Sequence, residues 1–154
     1  MRSVGLIGVG FMGKGLAKNI IAKKAAETNV YLYDSNLKAL DQFVHSLGDQ
    51  YDCKHVYTSS DASDALLHSD LVALSLPSEK VLQFVMFDDM KGMVSRHAKE
   101  KGGTSMDTLV MDHSTISRYC VMQTHAKAKG MDAMFMVYSQ WFKLMLQQVL
   151  YFVC

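Results

Sequence analysis

The chain has 154 residues, of which 49% are hydrophobic and 20% are charged. This length suits one domain with a substantial core, and the composition is that of a globular protein rather than a disordered one. The 16 Lys and Arg residues nearly balance the 15 Asp and Glu residues, which leaves a net charge of +1, so charge indicates no nucleic-acid partner.

The three cysteines, Cys53, Cys120 and Cys154, lie far apart and form no C-x-x-C pair. This pattern predicts reduced thiols and neither a metal site nor a redox pair. The N-terminus has the features of neither a secretory signal nor a transit peptide. We therefore expect a cytoplasmic protein, with a mitochondrial or plastid location left open in case a targeting segment is missing.

The first half of the chain predicts strands that alternate with helices. An apolar run that stops at glycine predicts a strand over residues 3–9, and helical periodicity follows over residues 11–24. The next predicted elements are a strand over residues 29–33, a helix that Ser35 or Asn36 caps and Gly48 closes, a strand over residues 55–58, and a helix from residues 60–61 to 68.

The second half continues the same alternation. The apolar run over residues 71–76, closed by the only proline, predicts a central strand that is buried on both faces. The remaining predicted elements are a helix over residues 79–87, a polar stretch over residues 99–105, a strand over 108–112, a helix that Thr115 or Ser117 caps and that runs through Lys129, and a strand over 134–137. The alternation predicts an α/β fold, a doubly wound parallel sheet with helices on both faces.

Three glycines follow the first predicted strand at the spacing G-x-G-x-x-G, in the order Gly8, Gly10 and Gly13. The expected roles are a tight turn at the first, close approach of a pyrophosphate at the second, and close helix packing at the third. The helix N-terminus behind them attracts phosphate. The spacing predicts a dinucleotide site built from the turn, with a glycine-rich turn that binds nothing as the alternative; its residues are Gly8, Val9, Gly10, Phe11, Met12 and Gly13.

Asp34 ends the second predicted strand, about 20 residues beyond Gly13, where such sites place an acid on the ribose. A carboxylate there accepts hydrogen bonds from the ribose hydroxyls and repels a 2′-phosphate. Ser35 follows, where many NADP enzymes place an arginine. We expect NAD as the cofactor, with NADP possible because Lys38 is near enough to reach a phosphate.

Residues 6–20, LIGVGFMGKGLAKNI, resemble the N-terminal signature of the β-hydroxyacid dehydrogenases. That family includes 3-hydroxyisobutyrate dehydrogenase, tartronate semialdehyde reductase and the cofactor domain of 6-phosphogluconate dehydrogenase. Met12, Ala17 and Asn19 match this signature specifically, and Val9 and Leu16 depart from it mildly. The resemblance implies a Rossmann-type NAD(P)-binding domain over residues 1–136.

Two later blocks are similar to the same family in order and spacing. SLPS at residues 75–78 resembles its M-L-P block, and MDHSTIS at residues 111–117 resembles its D-x-S-T-I-x-P block. The resemblance implies that Leu76, Pro77 and Thr115 contact the cofactor and that Ser114 is a possible substrate contact. A helix N-cap is the plain alternative for the Ser-Thr pair. The family's proline after the second block is Arg118 here, and its polar residue after L-P is Val81.

Residues 137–154 resemble neither the substrate loop nor the helical domain that follow in this family. They read as an apolar helix over the sheet, as a membrane span (disfavoured by Lys143 and three glutamines), or as non-native sequence of a truncated product, which we favour. The family's catalytic lysine has no counterpart, so no catalytic residue is identified. We expect apolar surface left uncovered by a missing domain to cause self-association.

Three functions agree with these features. The first is the cofactor domain of a dehydrogenase of the 3-hydroxyisobutyrate type, which transfers hydride between nicotinamide and a small β-hydroxyacid or semialdehyde but is inactive alone. The second is a working dehydrogenase completed by another chain or a longer form. The third is a non-catalytic module that senses dinucleotides or binds partners.

Overall fold

The computed structural model describes residues 3–88, 91–100, 108–131 and 134–137. Within these residues six strands form one parallel sheet in the order β3-β2-β1-β4-β5-β6. The strands are β1 (Ser3–Ile7), β2 (Asn29–Tyr33), β3 (Val56–Thr58), β4 (Leu71–Leu74), β5 (Leu109–Asp112) and β6 (Met134–Val137).

Helices connect the strands along the chain. They are α1 (Phe11–Lys23), α2 (Leu37–Leu47), α3 (Ala62–Leu67), α4 (Glu79–Phe87), α5 (Met93–Glu100) and α6 (Arg118–Lys129), with a short 3-10 turn over Gly48–Gln50 after α2. Among the residues that the structure describes, no helix is long and apolar enough to cross a membrane.

The sheet has a hydrophobic core on each face, because successive strand residues point to opposite sides. In β1, Leu6 packs with residues of α1 and α2, whereas the next residue, Ile7, packs with α3, α4, α5 and α6. Both are fully buried. The predicted doubly wound sheet with helices on both faces is confirmed.

The strand order reverses beside β1, and this reversal positions the functional site. β1 pairs with β2 on one side and with β4 on the other, so that Ile7 lies level with Tyr33 and with Leu74. The chain leaves both neighbours at the same edge of the sheet. Ligands of open α/β sheets bind outside the carboxyl ends of the strands at such a switch point.

Some predicted boundaries were wrong. β1 ends at Ile7 rather than at residue 9 because Gly8 has a φ of 92° and turns the chain out of the sheet. β4 likewise ends at Leu74, two residues early. Of the two residues predicted to cap α6, the structure confirms Ser117, whose Oγ accepts a hydrogen bond from the Cys120 N–H at 3.2 Å.

Helix α5 was not predicted at all, because its buried residues Met93 and Val94 give only one short apolar patch. The predicted polar stretch at 99–105 begins inside α5 and continues into residues outside the described ones. Val137 is the last residue of β6, and the rest of the predicted tail, residues 138–154, also lies outside them.

Candidate functional site

A cleft of about 700 Å³ opens at the switch point, between the carboxyl ends of β1, β2, β4 and β5. Its lining comes from four separate parts of the chain that the sheet brings together. The predicted site residues in this lining are Gly8, Gly10, Phe11, Met12, Gly13, Asp34, Ser35, Leu76, Pro77, Ser114 and Thr115.

The three glycines of the turn differ in what a side chain would meet. A Cβ on Gly8 would collide with the Ser75 carbonyl, and the φ of 92° there already favours glycine. A Cβ on Gly13 would collide with the Gly8 carbonyl. A Cβ on Gly10 would meet nothing within 4 Å. The first and third glycines therefore close the turn, and the second leaves open space at the start of α1.

The N-terminus of α1 faces this open space. Gly10 is the N-cap, and no side chain caps the helix there. The first turn contains no acidic residue. Unpaired N–H groups and the helix dipole make such an end attractive to an anion. Phe11 and Met12 stand exposed at the mouth of the cleft, at 95% and 73%.

Asp34 ties this turn to the end of β2. One carboxylate oxygen, Oδ2, accepts a hydrogen bond from the Val9 N–H at 2.8 Å, and Oδ1 accepts one from the Asn36 N–H at 2.8 Å. Each carboxyl oxygen keeps a lone pair beyond the one used here, so both can accept a further hydrogen bond. Asp34 therefore fixes the shape of the cleft and keeps acceptor capacity toward it.

Val9 is the one predicted site residue outside the cleft lining. Its side chain is 3% exposed and packs in the core beneath α1 and α2. Only its backbone N–H, bound to Asp34, takes part in the turn. The alternation of residues along β1 does not predict the position of the Val9 side chain, because the strand ends at Ile7 and Gly8 turns the chain out of the sheet.

The far wall of the cleft consists of the loops that follow β4 and β5, residues 75–78 and 113–117. Ser114 is 4% exposed, and its Oγ accepts a hydrogen bond from the Leu76 N–H at 2.8 Å. Thr115 is exposed at the cleft. Ser114 thus connects the two loops directly, a contact that the sequence does not reveal.

The end of β5 carries a buried acid beside a half-buried imidazole. Asp112 is fully buried; its Oδ1 accepts a hydrogen bond from the Ser114 N–H at 2.9 Å, and its Oδ2 has no hydrogen-bond partner among the described residues. Burial raises the pKa of Asp112 against the opposing effects of Ser114 and His113. Burial lowers the pKa of His113, against the opposing charge of Asp112, so neutral imidazole is favoured near neutral pH.

Asp112 gives the protein a pH-dependent stability. Because its folded pKa lies above the unfolded value of 3.8, the native state favours the protonated acid, and stability falls as pH rises through the folded pKa. Asp112→Asn removes this titration and keeps an oxygen for the Ser114 N–H. Because the amide does not ionise, we expect the variant to gain about 1–3 kcal/mol on wild type between acid and neutral pH, comparable in size to the desolvation penalty of a buried polar group. Thermal unfolding at several pH values measures the gain, and a difference that stays constant or shrinks as pH rises contradicts it.

Sequence reasoning missed part of the lining. The cleft also contains Ile7, Tyr33, Ser75, Val81, Phe84, Val85 and His113. Three of these recur at helical spacing on α4, and Phe84 is 51% exposed. A second apolar stripe on α4, opposite Leu82 and Met86, was the available signal in the sequence.

Tyr33 stands at the end of β2, next to Asp34. Burial raises the pKa of its phenol, and the carboxylates of Asp61 and Asp34 raise it further. The hydroxyl therefore stays protonated at neutral pH and serves as a hydrogen-bond donor on this side of the cleft.

Comparisons with known proteins agree with this geometry. A sequence model of one protein family, the NAD binding domain of 6-phosphogluconate dehydrogenase, matches residues 3–137. No curated protein gives a significant match.

Solved structures share the fold at low identity. 3-Hydroxyisobutyrate dehydrogenase of Mycobacterium tuberculosis, solved with L-serine, is 22% identical with a TM-score of 0.59, over 88% of this chain and 39% of that chain. Imine reductase of Myxococcus stipitatus is similar in two structures. The V8 variant in complex with NAD+ gives 14% identity and a TM-score of 0.68, over 90% of this chain and 40% of that one. The complex with NADP+ gives 13% identity and a TM-score of 0.67, over 89% of this chain and 40% of that one. The chain thus spans about two fifths of the length of these proteins.

Proposed function

We propose a function for this chain on the basis of its family. The chain belongs to the family of the NAD-binding domain of 6-phosphogluconate dehydrogenase. We propose that the cleft at the switch point is its dinucleotide site, with NAD preferred over NADP. The domain would serve an oxidoreductase of the 3-hydroxyisobutyrate dehydrogenase type, which transfers hydride between nicotinamide and a small β-hydroxyacid or semialdehyde. Residues 3–137 form this domain, and residues 138–154 lie beyond it.

The open space at Gly10 is the observation that carries the proposal. It lies at the N-terminus of α1, where a Cβ would meet nothing within 4 Å, and it faces the free end of a helix that no side chain caps. A pyrophosphate fits there because backbone N–H groups and the helix dipole both favour negative charge. A dinucleotide therefore suits the residues that are present.

The two halves of the dinucleotide then lie on opposite sides of this point. Asp34 accepts hydrogen bonds from the ribose hydroxyls of the adenosine half through its remaining lone pairs, and Ser35 lies beside it in the cleft lining. The nicotinamide half extends over the carboxyl ends of β4 and β5, against Leu76, Pro77 and Thr115. Ser114 remains a predicted substrate neighbour, because its hydroxyl can still donate a hydrogen bond while its oxygen accepts from Leu76.

Bound nicotinamide supplies hydride transfer, and the reaction also needs a group that moves the hydroxyl proton. The described lining contains three titratable side chains, Tyr33, Asp34 and His113, and no lysine. Tyr33 and Asp34 belong to the ribose side. His113 neighbours Thr115, its backbone N–H donates to the Leu74 carbonyl at 2.8 Å, and burial favours its neutral form, but the family resemblance assigns the proton transfer to a lysine. We therefore propose that the chain binds cofactor without turnover by itself, and a non-catalytic dinucleotide sensor is the second candidate.

One experiment tests both parts of this proposal. Adding NADH at about 100 times its Kd should stabilise the full chain by about 2.7 kcal/mol, seen as a rise in Tm. With 3-hydroxyisobutyrate and NAD, or with tartronate or succinic semialdehyde and NADH, the cofactor absorbance should then stay constant. An unchanged Tm with both NADH and NADPH contradicts the cofactor site. Substrate-dependent change in absorbance contradicts the absence of turnover.

A further inference from the structure

Hydrogen bonds join the two parts of the chain that form the far wall of the cleft, and three of them have distances of 2.6 to 2.8 Å. The Leu76 N–H donates to Ser114 Oγ at 2.8 Å, the Ser117 N–H donates to Glu79 Oε1 at 2.7 Å, and Gln83 Nε2 donates to Thr124 Oγ1 at 2.6 Å. They connect residues 75–78 and α4 on one side to residues 113–117 and α6 on the other. We call this row of contacts the polar seam.

Glu79 lies at the centre of the polar seam and near two helix ends. It is the first residue of α4, and its acceptor oxygen binds the N–H of Ser117, the N-cap of α6. A carboxylate is stabilised by the dipoles of helix N-termini. Hydrogen bonds from Ser117, first from its side chain and then from its N–H, lower the pKa of Glu79 against a small opposing effect of burial, so the carboxylate is ionised at neutral pH and keeps its contact.

The polar seam joins the two elements that line one half of the cleft. On one side α4 presents Val81, Phe84 and Val85, and on the other the loop after β5 presents His113 and Thr115. The pyrophosphate end depends on different parts, the glycine turn and Asp34, which lie beside β1 and β2. A change in the polar seam should therefore alter the contacts of only one half of a bound dinucleotide.

We propose that Glu79 is a positioning residue that holds the loops after β4 and β5 at the separation required by the nicotinamide half of the cofactor. Glu79 does not line the cleft; it acts through Ser117 and the α6 N-terminus. This inference rests on the proposed dinucleotide site, and it adds a residue that the glycine turn and the resemblance leave without a role.

The test compares two ligands on two variants of the full chain. NADH contains the nicotinamide half, whereas ADP-ribose has the same adenosine and pyrophosphate without the ring. Glu79→Ala should weaken NADH about fivefold, the equivalent of one hydrogen bond, and should leave ADP-ribose within about twofold of wild type. Glu79→Gln keeps an acceptor oxygen for the Ser117 N–H and should bind both ligands like wild type. Calorimetry gives the six Kd values, two ligands on wild type and on each variant.

Glu27→Ala is the matched control, because Glu27 is exposed and its loss changes the net charge equally. It should leave both ligands unaffected. Equal weakening of NADH and ADP-ribose by Glu79→Ala would show a general structural effect and overturn the inference, as would no weakening of either. Glu79→Gln behaving like Glu79→Ala would also overturn it, since charge and not the hydrogen bond would then matter. Wild type that binds neither ligand would instead refute the dinucleotide site itself.

Discussion

Gly10→Asp should weaken dinucleotide binding by two to three orders of magnitude and leave the fold intact. A side chain at this position meets nothing within 4 Å, and Gly10 has an extended backbone with φ of −71° that any residue adopts. Aspartate is also a favoured N-cap residue. Its carboxylate would occupy the place of the pyrophosphate and repel it. Two unit charges about 4 Å apart interact by about 4 kcal/mol at a partly exposed site, so we expect a loss in affinity of two to three orders of magnitude.

Gly15→Asp is the control for this variant. Gly15 lies in the same helix, is exposed, and also has open space at its Cβ position. The substitution adds the same charge outside the cleft lining, so NADH should bind nearly as it binds to wild type. Calorimetric titration measures both affinities and thermal unfolding confirms that both variants fold. Similar NADH affinities for the two variants would place the pyrophosphate elsewhere.

Asp34→Ala should weaken NAD binding much more than NADP binding. The substitution removes the acceptor of the ribose hydroxyls, and hydrogen bonds to charged groups contribute about 1.5–3 kcal/mol. NAD affinity should fall roughly ten- to hundredfold. For NADP, the loss of an acceptor is offset because the carboxylate no longer repels the 2′-phosphate. The change in the ratio of the two Kd values isolates the ribose role.

The two backbone contacts of Asp34 make a control necessary. Loss of the Val9 and Asn36 contacts should loosen the turn and weaken both cofactors alike, which changes both Kd values but not their ratio. Asp41→Ala, on the exposed side of α2, gives the same change in charge without these contacts. An unchanged ratio for Asp34→Ala would leave Asp34 with the turn-positioning role alone.

The fold followed from local signals that each have one physical meaning. The spacing of the glycines predicted a tight turn at Gly8 and close packing at Gly13. The structure shows the physical reason, because a Cβ at either position would collide with a backbone carbonyl. The ends of α2 were likewise predicted: Asn36 Oδ1 accepts a hydrogen bond from the Ala39 N–H at 3.0 Å, and Gly48 closes the helix with a φ of 53°. Such residues interact mainly with neighbours in sequence or with a sheet whose register the pattern already implies.

The parts that could not be predicted depend on contacts between distant segments. Ser114 meets Leu76 and Glu79 meets Ser117 only after β4 and β5 pair in register. No spacing along the chain encodes these distances. Helix α5 is similar, since its place is set by packing on α3 and α4 and by the ion pair between Arg96 and Asp61. Residues that join two loops across a cleft are therefore the hardest to predict from a sequence.

The most direct test of the central claim is a titration of the full chain with NADH, in which calorimetry and the fluorescence of the nicotinamide measure binding. Saturable binding at one site per chain, lost in Gly10→Asp and kept in Gly15→Asp, is the predicted result. Absence of binding by the folded wild-type chain to both NADH and NADPH, or binding that Gly10→Asp leaves unchanged, would contradict the assignment of this cleft as the dinucleotide site.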